Sequence, residues 1–133
     1  MKRAILADTG PLYAAVDPDD AYHSQSHEEL ARLTRDKREV LVAWPTLMEA
    51  YTLVLYKLGN ATARSWLAGV LDTAIVVNPF AEDYPMAARL VSQFVDQQVT
   101  LFDATAATLA TRLKVEVWTY DHHFDVLRVP VWR

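Results

Sequence analysis

The feature of this sequence that most constrains its fold is a series of short apolar runs separated by longer segments of helical character. These runs are rich in apolar and β-branched residues and stop near an aspartate or a proline, as buried strands do. They predict four strands, at residues 3–7, 39–44, 74–77 and 115–120, and a short terminal strand near 129–132. Helices are predicted at residues 11–16, 21–35, 46–58, 60–72, 81–96 and 102–114.

Residues between these segments that typically end or begin helices support the predicted helix boundaries. Gly59 is expected to end one helix, and Asn60 is expected to cap the next. Strands that alternate with helices and are apolar nearly throughout are typical of a parallel sheet covered by helices on both faces. The predicted fold class is therefore α/β. A chain of 133 residues, of which 52% are hydrophobic, is expected to form one domain over residues 1–133 with a real core.

Composition excludes several classes of site. The chain has no cysteine, which excludes disulfides, thiolate zinc sites and a cysteine nucleophile. Its formal charge of −4 is not the strongly basic footprint of a dedicated nucleic-acid-binding module, although it does not exclude nucleic acid. The N-terminal apolar run is too short for a signal peptide, and no stretch reaches the roughly 20 apolar residues of a membrane span. A soluble, cytoplasmic protein is expected.

Four acidic residues occupy positions that a parallel sheet would bring to one edge. Asp8 follows the first predicted strand and Asp121 follows the fourth. Glu49 lies in the first turn of the helix after the second strand, and Asp103 starts the helix that leads into the fourth. Ligands of such sheets bind outside the carboxyl ends of the strands. We therefore expect the four carboxylates to converge there.

Converging carboxylates repel one another, and a bound cation or a shared proton relieves that repulsion. An all-oxygen cluster selects hard ions such as Mg²⁺ or Mn²⁺. Such an ion can activate a water and neutralise charge on a phosphodiester. Taken singly, Asp8 and Asp103 are equally well interpreted as helix caps. Glu49 lies on a helix that is apolar nearly all round, where a lone carboxylate needs a partner or a metal.

Four segments carry a resemblance to a known family. Residues 6–12 (LADTGPL), 45–49 (PTLME), 102–104 (FDA) and 118–124 (WTYDHHF) together resemble the PIN-domain family, most closely its VapC-like toxin branch. The resemblance implies a three-layer α/β/α fold with a central parallel sheet of four to five strands. It also implies an Mg²⁺- or Mn²⁺-dependent endoribonuclease, the toxin of a type II toxin–antitoxin pair, which forms a homodimer and is neutralised by a cognate antitoxin protein.

The resemblance also assigns roles to individual residues. The catalytic and metal-binding residues that it implies are Asp8, Glu49, Asp103 and Asp121. Thr9 and Thr119 match polar positions that support the site. Family members often carry a further acidic residue two positions after the last aspartate, where this chain has His123. This departure weakens the expectation of a tightly bound second metal, and Asp125 is the residue that could compensate.

Two pairs of histidines are candidates for further functional sites. His23 and His27 have the helical spacing of a zinc pair, but no glutamate follows the first histidine, so the zinc-protease motif is missing. With Glu28, Glu29 and Arg32 they are interpreted as a solvated face. His122 and His123 are interpreted as following a turn that Phe124 anchors, with a supporting role at the site left open.

Two surfaces were weighed as well. The basic residues between 32 and 38 are interpreted as a solvated helix end rather than an RNA-backbone contact; they are Arg32, Arg35, Lys37 and Arg38. One helix has more apolar surface than one core face requires, through Leu47, Tyr51, Leu55 and Leu58. Core packing is the default interpretation of these four, with a dimer or antitoxin interface as the alternative.

Other functions were compared with the nuclease. A haloacid-dehalogenase-like site needs a second aspartate two positions after the first, where this chain has Gly10. A receiver domain needs an aspartate after the third strand, where Asn78 stands. The remaining alternatives are a catalytically silent PIN-like module that binds RNA or a protein, and a nuclease that acts on DNA.

Overall fold

A four-stranded parallel sheet forms the centre of this computed structural model, which describes residues 3–133. Met1 and Lys2, which begin the segment weighed above as a signal peptide, lie outside the described residues. The strands are β1 (Ala4–Ala7), β2 (Glu39–Ala43), β3 (Ile75–Val77) and β4 (Glu116–Trp118). The helices are α1 (Thr9–Ala14), α2 (His23–Arg35), α3 (Trp44–Leu58), α4 (Asn60–Thr73), α5 (Asp83–Ser92), α6 (Leu101–Leu113) and α7 (His123–Val126).

The strand order is β3-β2-β1-β4, and every neighbouring pair is parallel. Leu6 at the centre pairs with Leu41 on one side and Val117 on the other. Because all pairs are parallel, the carboxyl ends of the four strands share one edge, and the chain changes sides between β1 and β4, where ligands of such sheets bind.

Alternate residues of the strands face opposite layers of helices. Leu6 packs in a cluster with residues of α5 and α6, such as Ala87 and Leu109. Ile5 packs in a second cluster with residues of the other layer, such as Leu33 of α2 and Leu47 of α3. Both faces of the sheet are thus buried, which explains why the strands are apolar nearly throughout. The α/β prediction with a central parallel sheet is confirmed.

Two strand predictions were wrong in part. The third strand was expected to be buried, but Ile75 is 47% exposed, because β3 lies at the edge of the sheet and pairs only with β2. The terminal strand is absent: Val131 makes a single isolated bridge with Val117. Pro130 has no N–H and therefore cannot extend that bridge into a ladder.

Several helix boundaries also differ from the prediction. Asn60 does not cap α4; it is the first helical residue, and Gly59 at φ 94° both ends α3 and precedes α4. That positive φ is readily adopted by glycine. The helix predicted at residues 81–96 ends at Ser92. None of the helices in the part of the chain that the structure describes is long and apolar enough to cross a membrane.

Candidate active site

The carboxyl edge of the sheet opens into a cleft of about 570 Å³. All four acidic residues singled out from the sequence line this cleft: Asp8, Glu49, Asp103 and Asp121. Asp8 follows β1 directly, and Asp103 is the third residue of α6. Glu49 lies in the second turn of α3 rather than the first, because the helix begins at Trp44 with Pro45 as its second residue.

Asp8 is buried and is held by a hydroxyl group. Its Oδ2 accepts a hydrogen bond of 2.8 Å from Thr119 Oγ1, and its side chain is only 8% exposed. The residue occupies the position before α1, but its side chain makes no capping hydrogen bond to that helix. Helix capping therefore does not explain this carboxylate.

Burial controls the protonation of Asp8. The pKa of its carboxyl is raised to about 7, chiefly by loss of hydration; the charges of Asp103 and Glu49 add to this rise, and hydrogen bonds from Thr119 and the Thr9 backbone oppose it. A carboxylate in this position is stabilised by a proton or by a cation.

Asp103 combines a place in the first turn of α6 with a place in the cleft. Its backbone N–H donates to Thr100 Oγ1 at 3.1 Å, which completes the cap of α6. The capping residue is therefore Thr100, and the interpretation of Asp103 itself as the cap is wrong. Burial raises the pKa of the Asp103 carboxyl, and the charge of Asp121 adds to the shift. A helix N-terminus favours the charged form of a carboxyl and would lower its pKa. Because the pKa of Asp103 is raised instead, burial and the charges in the cleft outweigh the effect of the helix.

Glu49 is half-buried and accepts a hydrogen bond from the Thr9 hydroxyl. Burial raises its pKa, and Asp103 contributes repulsion. Thr119 has a second contact, since its Oγ1 accepts from the backbone N–H of Asp121 at 2.9 Å. The two threonines that the resemblance marked as supporting residues therefore orient three of the four acidic residues.

His123 lies deeper in this cluster than the turn interpretation allowed. Phe124 anchors the segment in the core, as expected, and is fully buried. His123 Nδ1 nevertheless lies 3.1 Å from Asp121 Oδ1 and 3.8 Å from Asp103 Oδ2. This buried nitrogen makes no well-aligned hydrogen bond within residues 3–133. Ligand atoms of Asp121, His122 and His123 lie within 4.8 Å of one another.

Asp125 does not join the acidic cluster. Its carboxylate accepts a hydrogen bond of 3.0 Å from Arg133 and is exposed. Asp125 therefore does not replace the acidic residue that this chain lacks. The side chain that reaches the cluster is that of His123.

The cleft also contains residues to which the sequence assigned no role. They are Asp20, Tyr22, Lys57 and Tyr120. Tyr120 lies between Thr119 and Asp121 in the last motif segment, so its position could have been noticed. Tyr22 and Lys57 come from segments with no motif, and only the tertiary structure brings them here.

The interpretation of His23 and His27 as a solvated face was wrong in detail. His23 Nδ1 lies 2.7 Å from the Ala14 carbonyl oxygen, and His27 Nε2 lies 2.8 Å from that of Ala15. These contacts fall at the end of α1, where carbonyl groups lack helical partners. Glu29 is also engaged, because it accepts hydrogen bonds from Trp118 Nε1 and the Tyr120 hydroxyl.

The basic residues do not form one solvated cluster. Arg38 is largely buried and pairs with Glu116 at 3.1 Å, and the Arg32 guanidinium lies 4.3 Å above the Trp132 ring. Arg35 is exposed and makes only a 3.7 Å contact with Asp36.

The apolar set on α3 belongs to the core, as the default interpretation held. Leu47 is buried, and Tyr51, Leu55 and Leu58 pack against a cluster that includes Val54. The exposed large apolar residues of α3 are instead Trp44, Met48 and Tyr56.

Comparison with known proteins gives structural matches alone. No family model matches the chain, and no curated protein matches it by sequence. The structure is similar to that of VapC20 from Mycobacterium tuberculosis, a toxin that cleaves the sarcin–ricin loop. The TM-score is 0.84 at 21% identity, over 97% of this chain and 98% of that one.

Two further solved structures show the same likeness. VapBC2 from Rickettsia felis, bound to a DNA fragment from its promoter, has a TM-score of 0.77 at 13% identity over 98% of this chain and 97% of that one. FitAcB from Neisseria gonorrhoeae has a TM-score of 0.72 at 19% identity over 97% and 96%. The likeness runs along the whole chain and includes the layers on both sides of the sheet, so this chain has the fold of the VapC-like PIN domains.

Proposed function

We propose that this chain is a metal-dependent endoribonuclease that cleaves RNA phosphodiester bonds, and that it is the toxin of a toxin–antitoxin pair. The observation that carries the proposal is the cleft in which four carboxylates from separate segments meet. Three of them have raised pKa values, chiefly through burial. Structural residues seldom gather buried like charges without a compensating group, whereas functional sites do.

The donor set of the cleft fits a hard divalent cation. The candidate ligands are the carboxylates of Asp8, Glu49, Asp103 and Asp121, and oxygen donors of this kind suit Mg²⁺ or Mn²⁺. When bound, such an ion would supply an activated water and neutralise charge on the phosphodiester. His123 Nδ1, buried beside Asp121 and Asp103, is positioned to stabilise the charge of these two carboxylates when protonated.

The remaining residues of the cleft have positioning roles. Thr119 holds the Asp8 carboxylate and the Asp121 backbone in one arrangement, and Thr9 holds Glu49. Lys57 is a basic residue that lines the cleft, where an ammonium group suits a phosphate oxygen of the substrate. Preorganised carboxylates of this kind reduce the reorganisation needed during the reaction.

The choice of RNA and of the toxin role is supported by the structural likeness. VapC20 is a toxin that cleaves the sarcin–ricin loop, and the VapBC and FitAcB structures point to an antitoxin as partner of this chain. We also propose a homodimer. The silent-module alternative is disfavoured because the four acidic positions that the resemblance marks as catalytic are all occupied by carboxylates.

Cleavage assays with the Asp103→Asn protein test the proposal. Wild-type protein is incubated with tRNA, ribosomal RNA, single-stranded RNA and single-stranded DNA, in Mn²⁺, Mg²⁺ or EDTA. We expect discrete RNA fragments in either metal, none in EDTA, and a loss of roughly 100-fold or more in Asp103→Asn.

The matched control is Asp72→Asn, which removes an exposed carboxylate of α4 that does not line the cleft. If the protein cleaves DNA but not RNA, the proposal of an RNA substrate is wrong and the chain is a DNA nuclease. No cleavage of any nucleic acid by folded, antitoxin-free protein would favour the binding module.

A further inference from the structure

An aromatic pair forms one wall of the carboxylate cleft. Tyr22 precedes α2 and Tyr120 follows β4, and their rings stack with centroids 4.4 Å apart and planes 16° apart. Both residues line the same cleft as the four carboxylates. A group stacked on this pair would therefore lie beside the phosphodiester bond that the carboxylates are proposed to help cleave.

Tyr120 is the fixed member of the pair. Its hydroxyl donates a hydrogen bond to Glu29, which also accepts from Trp118 Nε1. Gly10 lies beside the ring, at a distance where an added Cβ would make an ordinary van der Waals contact of 3.6 Å with Tyr120 Cδ2. The ring is held at its hydroxyl end and supported along its side, so it forms a firm base for Tyr22.

Tyr22 is the exposed member. Its ring is stacked on Tyr120 on one face, yet the residue remains 44% exposed, and the ring therefore keeps surface that a ligand can contact. Its backbone N–H donates to Asp20 Oδ1 at 2.8 Å, and the next residue, His23, contacts the Ala14 carbonyl. The exposed surface is thus held in place before any ligand arrives, which lowers the entropic cost of binding to it.

A second cleft of about 450 Å³ adjoins the first one and shares the tyrosine pair with it. Tyr22, Tyr120 and His122 line both clefts. The second cleft adds two guanidinium groups, from Arg32 and from Arg133, of which Arg133 is hydrogen-bonded to Asp125 in the same cleft. Within residues 3–133, Arg32 Nη2 is buried without a hydrogen-bond partner. A chain that leaves the carboxylates and passes Tyr22 would meet groups suited to its next phosphates.

We propose that Tyr22 is a stacking platform for an unpaired nucleobase next to the scissile phosphodiester. The inference deepens the proposed nuclease function and rests on it. A flat aromatic face binds any base through stacking, and the base must be unstacked from its own strand to reach it. The substrate class is therefore single-stranded or looped RNA, and continuous duplex is excluded because its bases are stacked internally.

Binding measurements without catalysis test the platform. Fluorescein-labelled oligoadenylate and an abasic ribose-phosphate oligomer of equal length are titrated with protein in EDTA at low salt. The proteins are wild type, Tyr22→Phe, Tyr22→Leu and Tyr84→Leu. Tyr84 is the matched control, because it is 43% exposed on α5 and does not line either cleft.

We expect Tyr22→Leu to weaken oligoadenylate binding by about 5- to 50-fold. Tyr22→Phe keeps the ring and should retain wild-type affinity, and Tyr84→Leu should match the wild type. Binding of the abasic oligomer should be unchanged in every variant. The inference would be overturned if Tyr22→Leu lost equal affinity for both probes. It would also be overturned if the wild type bound oligoadenylate no more tightly than the abasic chain.

Cleavage assays separate this inference from the nuclease proposal. If the wild type cleaves RNA and Tyr22→Leu does so with an unchanged KM, the platform is refuted while the nuclease stands. If the wild type cleaves nothing but binds in the base-dependent manner described, the nuclease function is lost and the platform is retained.

Discussion

Individual carboxylates in the cleft differ in their surroundings, and these differences have consequences for stability. Asp8 and Asp103 are both buried, and the pKa of Asp8 rises to about 7 from its usual value of 3.8. The pKa values of Glu49 and Asp103 rise in the same direction. A carboxyl whose pKa is raised on folding contributes stability below its unfolded pKa, and that contribution is lost as pH rises through its folded pKa.

Asp8→Asn should therefore stabilise the metal-free protein at alkaline pH. The neutral amide can still accept the Thr119 hydrogen bond while removing a buried charge. In EDTA at pH 8 we expect a gain of about 1 to 4 kcal/mol in the free energy of unfolding, shrinking as pH falls from about 7 towards 4. Urea unfolding across this pH range measures it. A variant less stable than the wild type at pH 8 would contradict the burial argument.

At the residue scale, the sequence predicts those site residues whose positions follow from strand ends. Asp8 and Asp121 are examples, because the residue after a parallel strand necessarily lies at the carboxyl edge. His123 was underestimated, since its contact with Asp121 depends on the turn geometry before α7. Tyr22 could not be predicted, because the path of the loop between α1 and α2 decides its contact with Tyr120.

Helix packing on one side of the sheet depends on a polar contact that the sequence does not reveal. Arg112 of α6 donates two hydrogen bonds to the buried Asp83 of α5, at 3.0 and 2.8 Å. Its guanidinium also lies 3.8 Å above the Phe80 ring. The hydrogen bonds from Arg112 lower the pKa of Asp83. The contribution of this pair to stability is thus present above the unfolded pKa of Asp83 and is lost as pH falls through its folded value.

Arg112→Met should destabilise the protein at pH 7 by more than Arg35→Met does, because it leaves Asp83 buried without its cation. The loss should shrink in acid, where Asp83 of the wild type is also protonated. Chemical denaturation at pH 7 and pH 3 measures both values. Arg35→Met is the control, since Arg35 makes only an exposed 3.7 Å contact worth at most about 0.5 kcal/mol. Equal effects of the two substitutions would refute a special role for the α5–α6 pair.

At the scale of elements, the apolar periodicity predicts the type and order of the segments. It does not predict which strand lies at the edge of the sheet, so the exposure of Ile75 was missed. It also treats Val129 and Val131 as a strand, although Pro130 between them prevents a ladder. These errors concern pairing partners, which depend on tertiary structure rather than on local pattern.

At the scale of the whole molecule, two helices that contact each other carry exposed apolar side chains. Trp44 and Met48 of α3 and Leu101 and Phe102 of α6 are each at least 40% exposed. Exposed apolar residues on neighbouring elements mark an interface more often than scattered ones do. They lie on the face through which we expect the proposed homodimer to form.

Met48→Lys should therefore convert the dimer to a monomer. Light scattering coupled to size exclusion should give twice 15.1 kDa for the wild type and 15.1 kDa for the variant. Met86→Lys on α5 is the matched control, because Met86 is similarly exposed, at 52% compared with 59% for Met48, and should leave the dimer intact. A monomeric wild type, or dissociation by both substitutions, would exclude this face as the dimer interface.

The central claim is that carboxylates from separate segments act as one hydrolytic site. The most direct test is the rate of RNA cleavage by Asp8→Asn, by Asp103→Asn and by the double variant, with Mn²⁺ present. Residues that act as a unit are strongly non-additive. We predict that each single substitution lowers the rate by roughly 100-fold or more and that the double variant is no slower than the worse single one. Losses that multiply in the double variant would show that the two carboxylates act independently and would contradict the account.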